Sequence, residues 1–533
     1  MPGFPFLNIS AQLLTVALLG TAAAPAQSAG NVQIHQPDHV DFSAPLEVMA
    51  AFAPRLATPL RRIPLRTTPP GWLPTNEPDT AVQSVPLPRT PLSATEGLSF
   101  LGVGVGLTGV TVNSDPPDTE LSVGLTQVVQ WVNLQFAVFD KLGNIIQGPT
   151  PGNAIWQGFG GPCEQQNQGD PIVLYDKMAD RWLFSQFAFA TDSLGNPLQP
   201  FYQCYALSTG SDARGPYFRW AYNFQSTFND YAKHGVWPDA YYSTFNQFPN
   251  NGATNAPQAC AIDRNAALAG TRPHMICAGA LPAGATVLLP SDLDGSTPPP
   301  TGSPAYMVDF GKNRLNVYQF HVDFATPSNT TFTGPTAIAV APFQPACNFA
   351  ATSCIPQLAT QIKLDSLGDR LMYRLAYRVF PSHQSLVVNH TITGPASAGA
   401  VRWYELRIDS TGTVSLHQQG TFAPDSSSRW TGSIAMDKAG DMALGYSIAS
   451  SSVYPSIRVT GRTPADPLGK METEMSIIGG SGNQHDNRWG DYSAMSVDPS
   501  DDCTFWYTNE YLQSTGSFNW STRIATLKFP GCQ

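Results

Sequence analysis

From about residue 96 onward, apolar and polar positions alternate in short runs, the two-residue period of a β-strand with one face buried. VQWVNLQFAVFD, IVLYDKMADRWLFSQF and IAMDKAGDMALGYSI are examples. A recurring turn, D-x-x-G-[NTD], divides such runs at Asp140, Asp192, Asp409 and Asp437. Glycine in its fourth place suits a turn that needs a positive φ, so each copy predicts a hairpin. Helical periodicity is confined to short pieces such as Arg264 to Ala269.

A longer phrase also recurs. An Asp at a Gly, Pro or Trp step precedes an alternating run, a tight turn and an aromatic strand. It reads Gly169-Asp170-Pro171, then Trp237-Pro238-Asp239, then Arg488-Trp489-Gly490-Asp491. Self-similarity at the spacing of one supersecondary unit is the mark of a radial or stacked repeat. Units open near Asp115, Asp170, Asp239, Pro304, Asp369, Trp430 and Asp491. The expected fold is therefore all-β, a β-propeller of about seven blades with six or eight as alternatives, each of roughly 60 residues. That length exceeds common blade repeats, and residues 245–303 and 342–361 take the excess as loops. The last strand, 522–529, is expected to close the ring against the first blade.

Composition narrows the setting. Charged residues make up 13% of the 533-residue chain, with 45 Gly and 47 Pro, which fits a turn-rich β protein. The formal net charge of −10 argues against nucleic acid and anionic membrane surfaces as partners. Residues 1–29 carry a short apolar core, Leu13 to Leu19, followed by small residues, and read as an export signal that lacks the usual basic start. No later segment has the apolar length of a spanning helix. Residues 30–95 are Pro-rich and read as a linker, a pro-segment or a wrap over the domain at 96–533. The eight cysteines follow the export signal: Cys163, Cys204, Cys260, Cys277, Cys347, Cys354, Cys503 and Cys532. An even count in an exported chain points to disulfides, most simply between neighbours, although other pairings stay open. The expected location is extracellular, with the periplasm as the alternative, and the expected state is a monomer.

The motifs PPDTELSVG (116–124), GDPIVLYDKMADRW (169–182), GVWPDAYY (235–242), RWTGSIAMD (429–437) and RWGDYSAMSVDPSDDCTFWYTNEY (488–511) carry a resemblance. Over residues 98–533 the chain resembles a widespread, largely uncharacterised family of secreted bacterial β-propeller proteins, and more distantly the sialidase-type propellers. The resemblance implies secretion and the propeller, and it brings no catalytic residues. Residues 499–506 only loosely match a sialidase Asp-box and lack its glycine.

In a propeller the first strand of each blade lines the channel, so Asp118, Asp170, Asp239 and Asp491 are expected to converge at one mouth. Converging carboxylates suit an acid/base or nucleophile pair on a glycosidic bond, or calcium; no other cofactor is evident. An Asp repeated in every blade equally suits capping of backbone N–H groups. Arg488, Trp489 and Tyr492 beside Asp491 add a carboxylate grip and sugar-stacking rings. The candidate catalytic set is thus Asp170, Asp239, Arg488, Asp491 and Tyr492. The candidate ligand-binding set is Asp118, His234, Trp237, Tyr241, Arg374 and Trp489. Asp292-Leu293-Asp294-Gly295 matches only part of a calcium loop and reads as a turn. Two functions follow: a glycan-directed hydrolase or lyase at the channel mouth, or a non-catalytic propeller that binds polysaccharide or protein.

Overall fold

The computed structural model describes residues 1, 3, 32–52, 60–67, 71–72, 77–83, 91–193, 196–252, 256–282, 285–349 and 353–533. Apart from residues 1 and 3, the expected export signal lies outside the described residues.

The described residues form seven four-stranded antiparallel units set around an axis. Their inner strands are Glu120–Val123, Ile172–Asp176, Thr227–Val236, Leu289–Asp294, Leu371–Val379, Ser428–Met436 and Ala494–Val497. Each inner strand lies beside the next, and the seventh lies beside the first, so the ring is closed. The inner strands of the fourth and fifth blades even pair in parallel, Ser291 with Leu375 through Asp294 with Arg378. The protein is a β-propeller.

The hairpin turns follow the sequence pattern. Asp140 accepts from the backbone N–H groups of Leu142 and Asn144, both at 2.9 Å, and Gly143 takes φ 86°. Asp409 and Asp437 make the same turn, with Gly412 at φ 82° and Gly440 at φ 86°.

Two blades open elsewhere than the repeat phrase predicts. Blade three begins at Thr227 and blade four at Leu289. Asp239 lies in the turn after the first strand of blade three, and Pro304 precedes the second strand of blade four. Much of the expected loop at 245–303 is strand, including Ala256–Asp263 and Leu289–Asp294. Asp292 and Asp294 consequently sit on a buried inner strand and not in a turn. Thr227–Val236 escaped notice because it carries Asn, Asp, Lys and His where a core strand is expected to be apolar.

Ring closure also differs from expectation. Trp520–Lys528 is the third strand of blade seven, and the N-terminal strand Thr95–Leu101 completes that blade antiparallel to it. Upstream residues wrap the ring. Gln33–His35 adds an outer strand to blade three, His39–Phe42 to blade two, and Val82–Gln83 to blade five. Four disulfides join cysteine neighbours in sequence: Cys163–Cys204, Cys260–Cys277, Cys347–Cys354 and Cys503–Cys532. Among the described residues no helix is long and apolar enough to cross a membrane.

Candidate functional site

The starts of the inner strands define one end of the channel, and three of the predicted aspartates meet there. Asp118 and Asp170 precede the strands of blades one and two in left-handed conformations, φ 48° and 46°. Aspartate tolerates that region better than most residues. The turned backbone aims each carboxylate at a neighbouring blade. Asp118 accepts from the backbone N–H of Asp491 at 2.6 Å and from Asn133 Nδ2 at 2.7 Å. Asp170 accepts from the backbone N–H of Tyr231 at 3.1 Å, and its own N–H donates to Asn133 Oδ1 at 3.0 Å. Asp491 pairs with Arg488 at 2.8 Å, and Arg488 also holds Asp365 at 2.6 Å. Burial drives the Asp118 carboxyl well above its ordinary range, with Asp491 and Asp170 adding to the rise. Burial likewise raises Asp170, against the pull of Lys233.

Asp239 does not join them. It lies at the opposite end of the channel, half-buried beside Tyr242 at 3.3 Å. Asp230 takes the place beside Asp170 in blade three, its carboxyl pushed up to about 7 by burial and by Asp170. The strand's start had to be known before this residue was visible.

Behind the aspartates the channel is packed. Lys233 is fully buried, its ammonium 3.7 Å from the centre of the Tyr231 ring and 4.1 Å from that of Tyr492. Such contacts partly replace lost hydration. Among the described residues neither carboxylate oxygen of Glu120 has a hydrogen-bond partner, and burial drives its pKa well up. Further along, Arg374 bridges Asp292 at 2.6 Å and Asp294 at 2.7 Å. Burial would raise Asp294, but Arg374 and Lys177 hold it below its ordinary value. Lys233 and Glu120 are functional-looking residues that sequence reasoning missed. Their mark was charge inside an otherwise strand-like run.

The remaining predicted ligand-binding residues are core. His234 donates to or accepts from Ser243 at 2.8 Å, and burial lowers its pKa to about 3. The Tyr241 hydroxyl donates to Asp176 at 2.8 Å between blades two and three. Trp237 packs on Tyr377 at 4.6 Å between ring centres, and Trp489 on Trp430 at 5.5 Å. Trp237 and Trp489 are at most 1% exposed, so neither offers a face to a sugar. Tyr492 is buried as well, and its hydroxyl donates to the Pro171 carbonyl at 3.0 Å.

The mouth is covered. Arg61–Arg62 pairs in parallel with Ser114–Asp115, and the chain continues over the mouth to Arg66. Arg488 Nε donates to the Ile63 carbonyl at 2.8 Å, and Arg370 Nη2 to the Arg66 carbonyl at 2.8 Å. The Arg66 guanidinium lies 4.6 Å from the centre of the Phe228 ring. Residues 61–66 are thus a strap pinned at the entries of blades one, five and seven and against blade three. Among the described residues no cluster of three or more His, Cys, Asp or Glu is placed to hold a metal ion. The calcium expectation therefore has no donor set at this mouth, where carboxylates alternate with Arg488, Arg370 and Lys233.

An open cleft of about 910 Å³ lies beside the strap, between it and blades one and two. Amides line it, and three of them, Gln135, Asn153 and Gln166, are bonded at one end only among the described residues. Gln135 donates its amide to the Thr111 carbonyl, and Asn153 donates to the Glu164 carbonyl. Their side-chain oxygens take no other donor among the described residues. Gln166 accepts from Gln168 at 3.1 Å, and its own NH₂ has no acceptor among the described residues. Pro149 and Pro151 add flat apolar surface, and Arg61 and Arg62 form the strap side. Ligand sites commonly occupy about 300–1,000 Å³, so a short oligomer fits.

No family model and no curated protein matches the chain. Among solved structures, it is similar to an endo-arabinase from Bacteroides thetaiotaomicron VPI-5482 at 12% identity, over 56% of this chain and 95% of that one, TM-score 0.26. It is similar to a GH43 endo-arabinanase from Bacillus licheniformis at 9% identity, over 57% and 96%, TM-score 0.26. An endo-1,5-α-L-arabinanase from Thermotoga petrophila RKU-1 shows 9% identity over 80% and 99%, TM-score 0.27. Likeness this slight carries no argument about site or activity; the propeller rests on the strand pairing above.

Proposed function

We propose that this protein is an extracellular, non-catalytic propeller that binds glycan in the cleft beside the strap. The observation that carries this reading is the lining of that cleft, where amide groups with one end anchored keep the other end free. Anchored amides present donors and acceptors to sugar hydroxyls at little entropic cost. Four disulfides fit an oxidising, extracellular setting. A hydrolase needs an acid and a second carboxyl that both reach the glycosidic bond. Asp118, Asp170 and Asp491 instead hold backbone N–H groups or Arg488 beneath the strap. The one carboxylate among the described residues lining the cleft, Asp192, accepts from Asn196 at a hairpin turn.

The test is titration calorimetry of the full chain on a panel of neutral and acidic oligosaccharides, with reducing-end and unsaturated-product detection on the same samples. Binding without product supports the reading. Product formation overturns the non-catalytic part, and silence on every glycan overturns the whole.

A further inference from the structure

The cleft carries a cation, Arg62, that no carboxylate among the described residues pairs with. Five buried arginines of this acidic chain are matched to carboxylates: Arg370 to Asp369, Arg374 to Asp292 and Asp294, Arg402 to Asp79, Arg429 to Asp425 and Glu474, and Arg488 to Asp365 and Asp491. Arg62 is different. It lines the cleft, is exposed, and has no ion pair or side-chain hydrogen bond among the described residues. Its backbone is nonetheless fixed, since Arg62 pairs with Asp115 in the short parallel ladder of the strap. A guanidinium on a held strand is a preorganised fork for a carboxylate or sulfate group.

The surroundings leave the charge uncancelled. Arg61 sits next to it with its guanidinium bonded to Gln168 and 5.9 Å from the Phe189 ring centre. Burial lowers Arg61 to about 10, which keeps it cationic at neutral pH. Asp192, across the cleft, is occupied in its turn by the amide and backbone N–H of Asn196, at 2.9 and 2.8 Å. Two cations therefore border the strap side, and neutral amides line the wall made by Gln135, Asn153 and Gln166.

Resting on the glycan-binding reading, we propose that the cleft selects an anionic glycan, with Arg62 gripping the carboxylate or sulfate of one sugar unit while Gln135, Asn153 and Gln166 take hydroxyls of the units beside it. Arg62 is then a specificity-determining residue. The strap is part of the binding site, so it closes the channel mouth and builds the cleft with the same residues.

The experiment titrates the full chain and its Arg62→Ala, Arg62→Lys and Gln166→Ala variants with oligogalacturonate, a sulfated galactan oligosaccharide, and a neutral arabinan oligosaccharide of equal length. Wild type is expected to bind at least one anionic oligomer about tenfold or more tightly than the neutral one, and to lose that margin as salt rises. The anionic arms separate carboxylate from sulfate recognition. Arg62→Ala should abolish the margin with the melting temperature unchanged; Arg62→Lys should restore part of it. Gln166→Ala should weaken neutral and anionic ligands alike. Equal binding of neutral and anionic oligomers, or an unchanged margin in Arg62→Ala, overturns this inference and leaves glycan binding standing. Binding of none of the oligomers overturns both.

Discussion

The channel mouth and the cleft beside it lie on either side of one strap, and they treat polar groups in opposite ways. At the mouth, charge is buried and spent: Asp118 and Asp170 cap N–H groups of other blades, and Asp491 is held by Arg488. In the cleft, Gln135 and Gln166 are half-buried, Asn153 is buried at the wall and Arg62 is exposed, and each keeps a polar group with no partner among the described residues. The mouth holds more of the residues that look catalytic in sequence, yet it is the poorer ligand site. Carboxylates that stitch blades together have their lone pairs committed, and releasing them costs folding energy. A recurrent Asp in a ring is therefore read first as a fastener between blades.

The contrast breaks most readily at Arg488. Arg488→Ala leaves Asp365 and Asp491 buried without their cation and frees the Ile63 carbonyl of the strap. The expected loss is about 3–5 kcal/mol in urea unfolding, with the strap loosened. Wild-type stability in that variant would mean the mouth is not a structural lock. Asp118→Ala should cost about 2 kcal/mol, since the N–H of Asp491 and the amide of Asn133 both lose their acceptor. A catalytic Asp118 would instead give a variant of normal melting temperature whose glycan turnover, present in wild type, is gone.

Protonation sharpens the comparison, because raised carboxyls gather at the mouth and the cleft is lined mainly by neutral amides. Asp230 is pushed from 3.8 to about 7, and Asp118 and Asp170 move the same way. A carboxyl whose pKa is higher in the folded state binds more protons there than in the unfolded chain. Its contribution to stability is complete below about pH 4 and falls as pH rises toward about 7. Asp230→Asn should flatten that decline, seen as a smaller difference between urea midpoints measured below and above this window. An unchanged difference would mean Asp230 titrates normally. The smallest expected effect lies in the cleft, where Gln166→Ala should shift stability by less than about 0.5 kcal/mol while lowering glycan affinity. A large loss of stability there would make the cleft structural too.

Local patterns carried much of the fold. Alternation located most strands, and the D-x-x-G turns placed hairpins at Asp140, Asp409 and Asp437 because a positive φ after an Asx turn leaves few residue choices, while the turn at Asp192 joins two paired strands. The convergence of Asp118, Asp170 and Asp491 was legible for the same reason: each stands just before an inner strand. Asp239 misled because its Trp-Pro-Asp step resembles that entry while belonging to a hairpin at the other end of the channel. Thr227–Val236 and Asp292–Asp294 were hidden by their polarity, which only the charged interior of the channel makes sense of.

By itself the sequence determined an all-β repeat, its turns, an even set of cysteines and the aspartates at strand entries, since these depend on backbone conformation within a few residues. Tertiary structure alone decided that Trp237, Tyr241 and Trp489 are core, that 95–101 closes the ring, and that a Pro-rich stretch becomes a strap with a cleft along its edge. Those outcomes depend on which groups distant segments bring within hydrogen-bonding or packing distance, and no local periodicity encodes such partners.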